Sequence, residues 1–150
     1  MPRTIAELLQ RDVPLLHTDE PVREAVAKIV AADLPALPVV DARERYAGIF
    51  GEREFITAIF PGYVKSLGYA AFVPKSAEDA LEKRRACGSE PVSQHINDEH
   101  IDVAPDFADL QLAEIFIHHR VLVIPVVDHG RVCGLVTRTG FFKALAERLR

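Results

Sequence analysis

The sequence predicts an α/β fold built from two similar halves, and three observations lead to it. Leu37-Pro38-Val39-Val40-Asp41 returns as Ile124-Pro125-Val126-Val127-Asp128, 87 positions later, and a fixed internal offset marks a repeat. Each copy follows a stretch whose apolar residues recur at helical three-and-four spacing. Each is followed by a turn, a short strand around glycine and a further helix. The halves span about 8–61 and about 95–150, with a helical linker over about 62–94. Packed together, they leave a cleft between them where function is expected.

In the first half, Thr18 or Asp19 suits a helix cap and Pro21 the first turn. Val22, Ala25, Val26, Ile29 and Val30 then fall on one face. Leu37 to Val40 reads as a buried strand, Arg43-Glu44-Arg45 as a polar turn, and Tyr46 to Phe50 as a second strand. Glu52 to Phe60 reads as a short helix with Phe55, Ile56 and Ile59 inward, stopped by Pro61-Gly62. The second half repeats the order. Phe107, Leu110, Ala113, Phe116 and Ile117 make its first helical face, Val121 to Val127 its strand, and Asp128-His129-Gly130 a tight hairpin. Val132 to Val136 is the partner strand, and Phe141, Phe142, Leu145 and Leu149 face inward from the last helix. The linker carries a helix from Ser76 to about Arg85, ended by Gly88 and Pro91. A solvated connecting helix is its simplest reading, since surface insertions cost little; packing on the module edge, or serving as a partner surface, are the alternatives.

Composition narrows the function classes. The 150 residues are 49% hydrophobic and 27% charged, the balance of a water-exposed domain with one core. A net charge of −4 lacks the basic footprint of a nucleic-acid binder, although a few arginines suffice for a small phosphorylated ligand. No run approaches the roughly 20 apolar residues of a membrane span, and the first residues do not read as a signal peptide. Cys87 and Cys133 make neither a disulfide framework nor a zinc motif, so a cytoplasmic location is expected. The adjacent His118 and His119 point apart on a helix and sit where its dipole favours positive charge. No catalytic constellation emerges, so no enzyme activity is expected.

The order of helix, strand ending Pro-hydrophobic-hydrophobic-Asp, turn, glycine-bearing strand and short helix resembles a CBS domain, the module named after cystathionine beta-synthase. Ala36 to Asp41, Gly48-Ile49-Phe50, Val123 to Asp128 and Gly134-Leu135-Val136-Thr137 carry the resemblance. It implies two tandem β-α-β-β-α repeats with pseudo-twofold symmetry, commonly assembled as a homodimer. It also implies a regulatory role, with AMP, ADP, ATP or S-adenosylmethionine as a regulatory ligand in the inter-repeat cleft and no required cofactor. The regulated partner would be an enzyme or transporter.

Ligand-binding candidates follow from it. Proline cannot donate to a sheet ladder, so main-chain groups near Pro38 and Pro125, from Ala36, Leu37, Val123 and Ile124, are candidates for the adenine edge. Thr18 lies where the family's first strand meets ligand. The family's Ser/Thr-x-x-Asp signature is incomplete in both halves: Gly51-Glu52-Arg53-Glu54 lacks the hydroxyl, and Thr137-Arg138-Thr139-Gly140 lacks the acid. Glu54 could still reach a ribose, and Thr137 and Arg138 a phosphate. Each also has an ordinary reading: Thr137 as a helix cap, Glu54 as a first-turn acid, and Arg53 and Arg138 as solvated charges. The rival function is a ligand-free dimerisation or protein-interaction module with degenerate nucleotide sites.

Overall fold

The computed structural model describes residues 8–60, 77–99 and 101–149. In the first half, β1 (Leu16–His17), α1 (Val22–Ala32), β2 (Ala36–Val40), β3 (Tyr46–Gly51) and α2 (Glu52–Ile59) follow in order. α3 (Ala77–Lys83) and two 3-10 turns lead to α4 (Asp109–His118), β4 (Val123–Asp128), β5 (Arg131–Thr137) and α5 (Arg138–Arg148). β1 runs parallel to β2, and β2 antiparallel to β3. β4 and β5 form the second antiparallel pair.

The repeat is visible in register. Leu16 pairs with Val39 in the first half, and Val103 bridges to Val126 in the second, both parallel and both 87 positions on. Each hairpin shifts register at the same point, between Val39 and Val40 and between Val126 and Val127. His129 and Gly130 both have positive φ, 50° and 84°, the requirement of a tight two-residue hairpin turn.

The halves also exchange segments. Gln10, near the start of the first half, pairs with Leu135 of β5 through N–H···O bonds of 2.9 and 3.0 Å. Asn97, near the start of the second, pairs with Ile49 of β3 at 2.8 and 3.0 Å. These approaches need glycine alongside. A Cβ on Gly134 would stand 2.2 Å from the Gln10 carbonyl oxygen, and one on Gly48 2.6 Å from that of Asn97. Between the sheets, Ala36, Ile49, Val123 and Leu135 form a buried cluster. These are equivalent residues of the two halves, so the pseudo-twofold relation passes through their contact.

Each half has its own core, around Leu16, Leu37 and Phe50 in the first and Leu112, Ile124 and Phe141 in the second. Fully burying such a side chain is worth about 1.5–3 kcal/mol. Several expected inward positions face outward instead: Val30, Ile56, Leu110, Ile117, Phe142, Leu145 and Leu149 are exposed. α4 is apolar nearly all round, and the β4–β5 sheet receives Leu112 rather than Leu110 or Ile117. On α5 the short residue Ala144 takes the inward place next to Phe141. The helix cap is corrected too: α1 is capped by Pro21 with no side-chain bond, while Thr18 donates its N–H to Val40 and accepts from Ser93 N–H.

α3 is not merely solvated. Ala80 and Cys87 are buried against Ala58 and Ile59 of α2, and Arg84 Nε donates to the Ala58 carbonyl at 2.9 Å. Packing on the edge of the first half is therefore the correct reading for its described residues. The expected Pro61-Gly62 stop and Ser76 start lie outside the described residues.

Candidate functional site

Main-chain direction comes first. On β4, the Pro125 carbonyl and the Val127 N–H both bond to Val103. Alternate residues of a strand point their polar groups the same way, so those of Val123 face that edge as well, beyond the end of the Val103 bridge. On β2, the Val40 carbonyl accepts from Thr18 on the β1 side, and Pro38 and Ala36 share that orientation. Both prolines thus stand where no ladder donor toward β3 or β5 is lost. β1 reaches only Val39 and Val40, so among the described residues no strand covers the edge at Ala36.

Glu54 lies in the first turn of α2, whose N-terminal end is set by the β3–α2 junction. There Glu52 N–H donates to the Pro35 carbonyl at 2.9 Å; the counterpart is Arg138 N–H to the Leu122 carbonyl at 3.0 Å. Ala36, Ile49, Arg53 and Glu54 of the first half meet Asn97, Arg120, Val121 and Leu122 around a cavity of about 10 Å³, room for about one water. Arg53 Nη1 donates to the Arg120 carbonyl across it, which corrects the reading of Arg53 as simply solvated. Burial pushes the Glu54 carboxyl above its ordinary value, against the opposing pull of the Glu54 and Gly51 amides and of Arg53.

Gly51, in the hydroxyl position of the signature, has no space for a side chain. A Cβ there would come within 2.3 Å of Ala36 Cβ and 2.4 Å of the Pro35 carbonyl oxygen. In the second half, Thr137 is buried and its Oγ1 accepts from Gly140 N–H at 2.9 Å, capping α5. A Cβ on Gly140 would lie 2.9 Å from that same oxygen.

The structure therefore brings Ala36 and Glu54 together on the first-half side of the inter-repeat cleft. Leu37, Pro38, Ile124 and Pro125 are buried in their strands, and Val123 in the contact between the halves. Thr137 and Arg138 begin α5, outside the Glu54 cavity. Thr18 is set apart: it follows β1 beside Val40, at the opposite end of β2 from Ala36 and about 13 Å of strand away. Sequence reasoning did not single out Asn97 or Arg120. Their part comes from exchanged or irregular main chain, which leaves no side-chain motif; the equivalence of Asn97 to Gln10 in the repeat offset was the available signal.

Among the described residues no group of His, Cys, Asp and Glu is placed to hold a metal, and no helix is long and apolar enough to cross a membrane. His100 is outside the described residues.

Comparison with known proteins gives a consistent result. The family profile of the CBS domain matches residues 5–61 and 103–147. Inosine-5'-monophosphate dehydrogenase of Streptococcus pyogenes is 43% identical over 49 residues, which are 31% of this chain and 10% of that enzyme. The chain thus spans about a tenth of that relative's length. A CBS-domain containing protein from Agrobacterium tumefaciens superposes with a TM-score of 0.73 at 24% identity, over 97% of this chain and 95% of that one. CBSX2, solved in complex with AMP, superposes with a TM-score of 0.69 at 16% identity over 98% of each chain.

Proposed function

For a chain that belongs to the CBS-domain family, we propose a non-catalytic regulatory role in which an adenosine-type ligand enters the inter-repeat cleft beside Ala36 and Glu54. One observation carries this reading: Ala36, whose main-chain edge no described strand covers, and Glu54 line the same cleft, shared with Arg120 of the second half. The edge can read a base, and an acceptor-only carboxylate suits ribose hydroxyls. CBSX2, of the same fold, is described in complex with AMP.

A cavity of about 10 Å³ cannot hold a nucleotide. Binding therefore requires the Arg53–Arg120 contact to open and the halves to part, which would couple occupancy to geometry. A ligand shifts such an equilibrium only by its differential affinity for the two arrangements. The sensor reading thus stands or falls with the opening.

The closed cleft, with Gly51 sterically fixed, also favours a second reading: a ligand-free interaction module. In either case a second copy of the chain is the proposed partner, through the apolar residues left outside on α4 and α5. The test is calorimetric titration with AMP, ADP, ATP and S-adenosylmethionine, on the native chain and on Glu54→Ala. Micromolar binding, near 8 kcal/mol, that Glu54→Ala abolishes supports the sensor. No heat from a folded protein supports the interaction module.

A further inference from the structure

A far larger cavity lies away from the inter-repeat cleft, on the outer side of the first half between α1, α2, α3 and the 3-10 turn that follows. Its volume is about 460 Å³, within the roughly 300–1,000 Å³ of small-molecule sites. The floor is apolar: Val22 and Val26 from α1, Phe55 and Ile59 from α2, Leu81 from α3. It offers no side-chain donor or acceptor that would read a base or a ribose.

Among the described residues the rim is cationic, with Arg23, Arg84 and Arg85 against the one acid Glu82. Arg84 is committed to the wall, bonded to the Ala58 carbonyl at 2.9 Å and to Glu90 at 3.4 Å. Arg85 meets Glu82 at 3.5 Å on the open surface, a pair that contributes little. Arg23 has no hydrogen bond or ion pair among the described residues. Its Nη2 and Nε lie 3.2 and 3.4 Å from where a Gly88 side chain would begin. The lack of that side chain is what lets the guanidinium lie along the rim.

We propose that this cavity is a second binding site, for a small amphipathic anion whose apolar body lies on the Val26–Phe55 floor and whose carboxylate or sulfonate head meets Arg23 and Arg85. An apolar cavity alone would take a neutral hydrophobe. The surplus of guanidinium groups at its mouth selects an anion, because they donate to carboxylate-type oxygens in paired geometry. The site is independent of the adenosine reading, since none of its residues lines the Glu54 cavity.

The test is fluorescence titration of the folded chain with 8-anilinonaphthalene-1-sulfonate, with decanoate and decanol as competitors. Saturable binding of one probe per chain is expected, displaced by decanoate and poorly by decanol, and unaffected by AMP. Arg23→Ala and Arg85→Ala should each weaken it about tenfold, with unchanged circular dichroism because both side chains are exposed. Val26→Trp should fill the floor and abolish binding, while Glu54→Gln should leave it intact. Binding unchanged in both arginine variants, or decanol competing as well as decanoate, would overturn the proposal.

Discussion

Thr137 and Glu54 show how two positions of one motif come to serve different ends. Thr137 Oγ1 is occupied as the α5 cap, and removing such a cap costs typically about 1 kcal/mol. Thr137→Ala should therefore lower stability by about that amount in urea denaturation, with or without nucleotide present. Glu54 behaves in the opposite sense. Its folded-state carboxyl is raised above the ordinary value by burial, so the folded chain binds the proton more tightly than the unfolded one. That contribution is fully present below the unfolded value and is lost as pH rises through the folded one. Glu54→Gln should then be more stable than the native chain at pH 7, the difference vanishing toward pH 4. A stability difference independent of pH would show that burial of the charge is not the cause. Tyr46 is the counter-example, a half-buried phenol whose titration is raised well above its ordinary value, first by burial and then by Asp102. Its hydroxyl donates to the Ile101 carbonyl at 3.2 Å, a purely structural tie between the halves.

Strands and turns were the most legible elements, because Leu37 to Val40 and Val123 to Val127 are continuous apolar runs bounded by turn residues. The Asp128-His129-Gly130 turn was legible for the same reason, and its chemistry can be improved. His129 has φ 50° and an exposed side chain, a conformation asparagine adopts more readily. His129→Asn should raise the thermal midpoint modestly, by about 0.5 kcal/mol of stability. Helix faces were much less legible. Leu110, Leu112, Ala113, Ile115, Phe116 and Ile117 surround α4, so periodicity admits more than one inward face, and only the sheet beneath selects Leu112. The candidate cleft was legible where it is lined by a side chain at a motif position, as with Glu54. It was hidden where it rests on main chain, as at Arg120, or on a missing Cβ, as at Gly51.

The molecule as a whole should unfold as one unit, because each half completes its sheet with a segment from the other. Circular dichroism and Tyr fluorescence should report coincident transitions, as two-state unfolding requires. Gly134→Ala, whose methyl would press on the Gln10 carbonyl, should destabilise by about 1–3 kcal/mol. Hydrogen exchange should then quicken in both sheets, whereas faster exchange confined to β4–β5 would mean the halves are independent. The exposed apolar residues of α4 and α5 bear on assembly. Exposed apolar surface can mark an interaction site, so under the proposed self-association Ile117→Glu with Phe142→Glu should shift sedimentation to the monomer without loss of fold, and an unchanged sedimentation coefficient would sink that proposal.

The exchange through Gln10 and Asn97 has a consequence for ancestry. A single half carrying its own leading segment has nowhere to put it except on another half, so a one-copy forerunner would have lived as a pair of arm-swapping twins. Both halves carry the glycine that admits the arm, Gly48 and Gly134. They differ at the signature positions, Gly51 against Thr137 and Glu54 against Gly140. The scaffold keeps the symmetry of the repeat, and the signature positions do not.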